Sequence, residues 1–244
     1  MMCEHRNLTI GWYGKIPSLG DFVSRRLPGN FIDAWDNWLQ TSMATSQEQL
    51  GETWLDIYLT SPIWRFILMP QACNNNKIWT GIIMPSIDKV GRHFPLTFAT
   101  EIEPHPSAFL SLLSAQNWYT ALEQIALASL DPNISPDELD NGLASHSPPI
   151  ILSNERVSVC DQLLSDWWLA STLTNNKCTS LLVTEANLLT EIFNAISLNL
   201  FNKKGKGKSI WWKVDFETNT TQLHGFIGLP PRNCFADLLH NTIK

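Results

Sequence analysis

The sequence predicts an α+β fold, an α/β sandwich in which a mainly antiparallel central sheet is flanked by helices. Three observations carry this expectation. Runs of apolar, β-branched and aromatic residues recur at 8–15, 63–69, 78–84, 94–102 and 209–216, several of them joined by short turn-rich segments. Stretches with apolar residues at helical spacing precede, interrupt and follow those runs. Hydrophobic residues make up 44% of the 244 positions and charged residues 16%, a core-forming composition and not that of a disordered or coiled-coil chain.

The first strand is expected at 8–15, where Leu8, Ile10 and Trp12 alternate with Thr9, Gly11 and Tyr13. A turn-rich loop follows, and then a helix with Asn30 as N-cap and Asp33 three residues on, presenting Phe31, Trp35, Trp38, Leu39 and Met43 on one face. A second helical stretch places Leu50, Trp54, Leu55, Ile57 and Tyr58 together, and Ser61-Pro62 closes it because a residue before proline avoids the helical region. Strands at 63–69 and 78–84 form a hairpin across PQACNNNK, and a third strand occupies 94–102. A helix over 107–130, broken near Gln116, turns Phe109, Leu112, Leu113, Trp118, Leu122 and Ile125 inward. The segment 131–150, rich in Pro, Asn, Ser and acid, is expected to be a loop or linker. Beyond it come a helix around 158–172, a strand at 179–184, a helix at 186–201, a basic loop, a hairpin of SIWWKVDF with TQLHGFIG, and a short helix from Asn233 to about His240. This divides the chain into an N-terminal α/β domain, 1–130, and a C-terminal subdomain, 151–244, that packs on the first or continues its sheet.

Composition narrows the function. Lys plus Arg number 17 against 23 Asp plus Glu, a net charge of -6, which repels phosphate backbones and anionic lipid, so neither nucleic acid nor membrane insertion is expected. Five dispersed cysteines without a CxxC, a terminus lacking a basic and an apolar leader region, and no apolar run near the roughly 18–20 residues of a membrane span point to the cytoplasm. GKGKS at 205–209 lacks the first glycine of a phosphate-binding loop and runs into a strand instead of a helix. Ser18 has Ile16 where a serine-hydrolase elbow needs glycine. The six histidines show no ligand spacing, so no metal and no cofactor are assigned.

Two loops dense in Gly, Pro and charge remain. One is GKIPSLGDFVSRRLPG with Asp21, Arg25 and Arg26; the other is PSIDKVGRHFPLT with Asp88, Lys89 and Arg92. Each follows an expected strand, so strands ending on the same side of one sheet would bring the loops together. Their charges then serve as an ion-paired scaffold, as a recognition surface for another protein, or, with Asp21 and Asp88 close together in a cleft, as carboxylate catalysts. The 11 tryptophans point the same two ways, to core and to interface. Trp211 and Trp212 are adjacent on a strand and must face opposite sides, one in the core and the other under a helix or a partner.

The blocks GWYGKIPSLGDFVSRRLP (11–28), FIDAWDNWLQ (31–40), LGETWLDIYLTSPIWRFIL (50–68) and GIIMPSIDKVGRHFPLT (81–97) resemble, in order and spacing, the TagF (ImpM) family of type VI secretion-associated proteins. SIWW, GLP and Phe235 extend the resemblance more loosely. The resemblance implies a longin- or profilin-like sheet in the N-terminal half. It also implies a cytoplasmic, non-enzymatic accessory regulator that represses secretion post-translationally, with the FHA-domain scaffold protein or another secretion component as partner. Its motif residues, Trp12, Lys15, Asp21, Arg25, Arg26, Ser86, Asp88 and Arg92, are the candidates for partner binding. The alternatives are a structural or assembly component of the machine, and a hydrolase or phosphatase using Asp21 and Asp88.

Overall fold

The computed structural model describes residues 9–73, 76–104, 108–148, 178–183 and 205–240. Eight strands form one sheet: β1 (Gly11–Gly14), β2 (Val23–Arg25), β3 (Trp64–Leu68), β4 (Ile78–Met84), β5 (Leu96–Ile102), β6 (Cys178–Val183), β7 (Lys208–Asp215) and β8 (Thr220–Ile227). Their spatial order is β2, β1, β5, β4, β3, β7, β8, β6, and every pairing is antiparallel. The C-terminal strands therefore extend the N-terminal sheet directly, with β7 hydrogen-bonded to β3.

Strand alternation divides the core into two layers. On one side Trp12, Ile67, Ile82, Phe98, Ile210 and Trp212 meet α3 (Ala108–Ser114), α4 (Gln116–Ala128) and α5 (Pro136–Ala144). On the other, Trp64, Phe66, Trp79, Ile83 and Trp211 meet α1 (Gly29–Leu50), α2 (Trp54–Leu59) and α6 (Phe235–Leu239). Trp211 and Trp212 are both fully buried and both lie under helices. Trp211 stacks on Trp35 of α1 at 5.9 Å and 6°, and Trp212 meets Tyr119 of α4 edge-on at 4.9 Å. Such aromatic pairs add about 0.5–1.5 kcal/mol each beyond the area they bury.

Several expectations need correction. The 22-residue α1 follows Pro28, whose extended backbone (φ -72°, ψ 148°) makes it the flanking residue, so Asn30 lies in the first turn and no side chain caps the helix. Leu50 ends α1, and Gly51 turns the chain at φ 54° before α2 begins. Leu50 and Leu55 thus do not share a face with Trp54 and Tyr58, and Leu55 is exposed. The expected loop after β1 contains the edge strand β2. The 131–150 linker is corrected to a segment built around α5, whose Leu139 and Leu143 are buried and whose start is fixed by a reciprocal Ser135–Glu138 capping box with proline in the first turn. The helices expected at 158–172 and 186–201 lie outside the described residues.

Candidate functional site

Register brings the two charged loops to one end of the sheet. Tyr13 pairs with Thr97 and Met84 with Leu96, so β1 and β4 finish side by side on opposite edges of β5. At the last residue of β1 the chains approach so closely that only glycine fits: Gly14 has φ +140°, and a Cβ there would lie 2.2 Å from the Pro95 carbonyl oxygen.

From this point the β1 loop is fastened to the β4 loop residue by residue. Lys15 is buried, and its Nζ lies 3.0 Å from Asp88 Oδ2. Arg92 Nε donates to the same oxygen at 2.7 Å, while the amides of Arg92 (2.8 Å) and Val90 (3.0 Å) donate to Asp88 Oδ1. Burial alone would push the Asp88 carboxyl up. The Arg92 amide, the Lys15 ammonium, the Arg92 guanidinium and the Val90 amide together outweigh it and hold the group well below the usual carboxylate range. The Arg92 guanidinium also donates to the Gly20 carbonyl, and the Lys89 amide donates to the Leu19 carbonyl at 2.8 Å. Buried Ser86 donates its hydroxyl to the Lys15 carbonyl at 2.7 Å. The Tyr58 hydroxyl of α2 accepts from the Ser86 amide and donates to its carbonyl, which ties α2 to the same cluster.

Asp21 is exposed, and its carboxylate caps the amide of the next residue at 2.8 Å. Asp88 meets Lys15 and Arg92 at the centre of the cluster, and its oxygens are already occupied by four donors. Between the loops the ring of Phe22 lies parallel to Tyr13 at 5.9 Å and edge-on to Phe94 at 4.7 Å, with Lys15 Nζ 4.8 Å from its centroid. The outer part of Phe22 is open to solvent.

The other candidates belong to a second cluster. Trp12 Nε1 donates to Asp140 Oδ1 at 2.7 Å, Arg26 reaches the same oxygen at 2.8 Å, and Arg25 bridges Asp140 and Asp137 at 2.8 Å each. Arg26 adopts a left-handed backbone (φ 61°) and also donates to the Ile10 carbonyl. Trp12, Arg25 and Arg26 therefore hold α5 against the first two strands, whereas Lys15, Ser86, Asp88 and Arg92 join the two loops.

One polar network had no counterpart among the expected site residues. Arg65 of β3, 1% exposed, makes a bidentate pair with Glu123 of α4 (2.6 and 2.8 Å) and donates to Gln116 and Thr120. Its signal was an arginine inside the apolar run IWRFIL, together with polar positions 116, 120 and 123 spaced along one helix face. Among the described residues, no group of three His, Cys, Asp or Glu side chains is placed to hold a metal ion, and no helix is long and apolar enough to cross a membrane.

Comparison with known proteins bears on the whole chain. No curated protein sequence matches it. The crystal structure of PA0076 from Pseudomonas aeruginosa PAO1 superposes with a TM-score of 0.67 at 31% sequence identity, covering 97% of this chain and 96% of that one. The model of the TagF N-terminal domain, type VI secretion system-associated, matches residues 11–146, a span that takes in both charged loops, the Arg65 network and α5. With more than half the chain inside that match, and a relative of the same length and fold, this chain belongs to the TagF family of type VI secretion-associated proteins.

Proposed function

We propose that this protein is a cytoplasmic, non-enzymatic regulator of a type VI secretion system, a post-translational repressor that binds the FHA-domain scaffold protein or another secretion component in stoichiometric amounts. The observation that carries this reading is the condition of Asp88. The carboxylate most enclosed at the loop end is held ionised by two cations and two amides, so its chemistry is that of a clamp. General acid–base work needs a carboxyl that exchanges a proton near the working pH. A clamp that fixes two loops and an exposed aromatic prepares a surface for recognition.

Stepwise expression in the host tests this. Repression should deepen in proportion to protein level and saturate near equivalence with the bound component; full repression at trace levels would contradict stoichiometric binding. Asp21→Asn should repress like the wild type, whereas a hydrolase using Asp21 would lose repression and keep its partner. Deletion that abolishes secretion instead of raising it would favour an assembly component.

A further inference from the structure

The loop end of the sheet also carries apolar side chains that the clamp leaves unused. The antiparallel register puts the start of β3 and the turn between β7 and β8 at this same end, since Trp64 pairs with Ile83, Arg65 with Trp212 and Asp215 with Thr220. There Phe216 is 69% exposed at the hairpin tip, and Leu59 is 52% exposed at the end of α2, one turn from the exposed Leu55. The tip is stiff: Asp215 Oδ1 accepts from the amides of Glu217 and Thr218, and Asn219 closes the turn at φ 52°. Phe216 is thereby held outward. Beside these side chains lies a half-open apolar pocket walled by Tyr58, Pro62, Trp64, Pro95, Leu238 and Leu239, between the end of α2 and α6.

The charge around this patch has one sign. Asp56 of α2, Asp215 and Glu217 of the hairpin and Asp237 of α6 are all exposed. The cation on the same strands, Lys213, is buried and donates from Nζ to the His240 carbonyl at 3.2 Å. Lys89 and Arg92 stand on the neighbouring loop, where Arg92 is paired with Asp88. An apolar patch with a pocket, rimmed by four carboxylates, repels an acidic partner and suits one whose apolar side chains are flanked by Lys and Arg.

We propose that the face formed by Leu55, Leu59, Phe216 and the pocket beside them docks a basic, apolar-bearing surface of a partner protein. This rests on the reading of the chain as a stoichiometric binder and assigns its interface. One side chain of the partner enters the pocket; its basic residues meet Asp56, Asp215, Glu217 and Asp237.

The test uses the full chain and, as probes, the purified FHA-domain scaffold protein and the other purified soluble components of the same secretion system. Affinity is measured by calorimetry at low and high salt. Leu59→Ser/Phe216→Ser and Asp56→Lys/Glu217→Lys change exposed side chains, and unaltered thermal melts confirm folding; Leu127→Ser on α4 is the control. The expected result is that one component binds, that binding weakens as salt rises, that each double variant weakens it at least about tenfold, and that the control leaves it unchanged. Binding that neither double variant alters would overturn this face and leave the stoichiometric-binder reading standing. Tighter binding after charge reversal would overturn the basic partner. Binding by no component would overturn both.

Discussion

At Asp88, burial and charge oppose each other and charge wins, which makes the residue a measurable source of stability. Its carboxyl is held below the ordinary value of 3.8, so the contribution is complete above that pH and is lost as pH falls toward the lower, folded value. Asp88→Asn should lower the melting temperature at pH 7 by roughly 5 °C or more, and thermal melts should show the deficit shrinking below about pH 4. An equal deficit at pH 7 and pH 3 would contradict this. His224 behaves in the opposite sense. Burial first, and Lys213 second, push its imidazole down to about 4 from 6.5. Between those values the unfolded chain takes up a proton that the folded one refuses. Stability should therefore fall by up to about 3 kcal/mol as pH drops from 6.5 to 4, a loss that urea titrations should find flattened in His224→Leu. Neither burial was legible in the sequence: an aspartate in a Gly-Pro loop and a lone histidine look solvated until their neighbours are known. That the two loops would meet was legible as a condition on strand direction, because each followed an apolar run.

Helix α5 shows how a missed element redirects a whole cluster. Pro, Asn and acid around it resembled a linker, yet Ser135-Pro136 with Glu138 is a helix-start pattern that outweighs composition. Without α5, Arg25 and Arg26 had no visible partners except the second loop; with it they belong to Asp137 and Asp140. Ser135→Ala should cost about 1 kcal/mol by removing the cap. Asp140→Ala should free α5 to limited proteolysis and change the fluorescence of Trp12, whose indole it holds; unchanged cleavage would argue that Leu139 and Leu143 alone suffice. The contact between β3 and α4 rests on a different device. Arg65→Met leaves Glu123 without its buried cation and should cost about 3–5 kcal/mol in denaturant titration. Arg65→Met/Glu123→Leu should recover most of that, because no charge is then left uncompensated; a double variant as unstable as the single would show that the pair itself is stabilising.

The whole molecule depends on β7, which joins the sheet's N-terminal strands to β8 and β6. Apolar alternation showed that these strands exist, but not where they insert, because pairing order is set by long-range packing that local pattern does not encode. The region matched by the family model ends at residue 146, yet the edge of β3 and the slot filled by Trp211 against Trp35, Trp38 and Phe66 are closed by residues after 205. A fragment of residues 1–150 should therefore fail to give a monomer with a cooperative melt, as size-exclusion chromatography and circular dichroism would show. The same strand order sets a clock. About 140 residues of chain separate Leu68 from Lys208, and at roughly 5–20 residues per second a ribosome needs on the order of 10–30 s to deliver β7 after β3 has been made. For that interval the nascent chain holds an open, aromatic strand edge, so the synthesis of this protein, more than its mature stability, is where it is most exposed to aggregation and most dependent on chaperones.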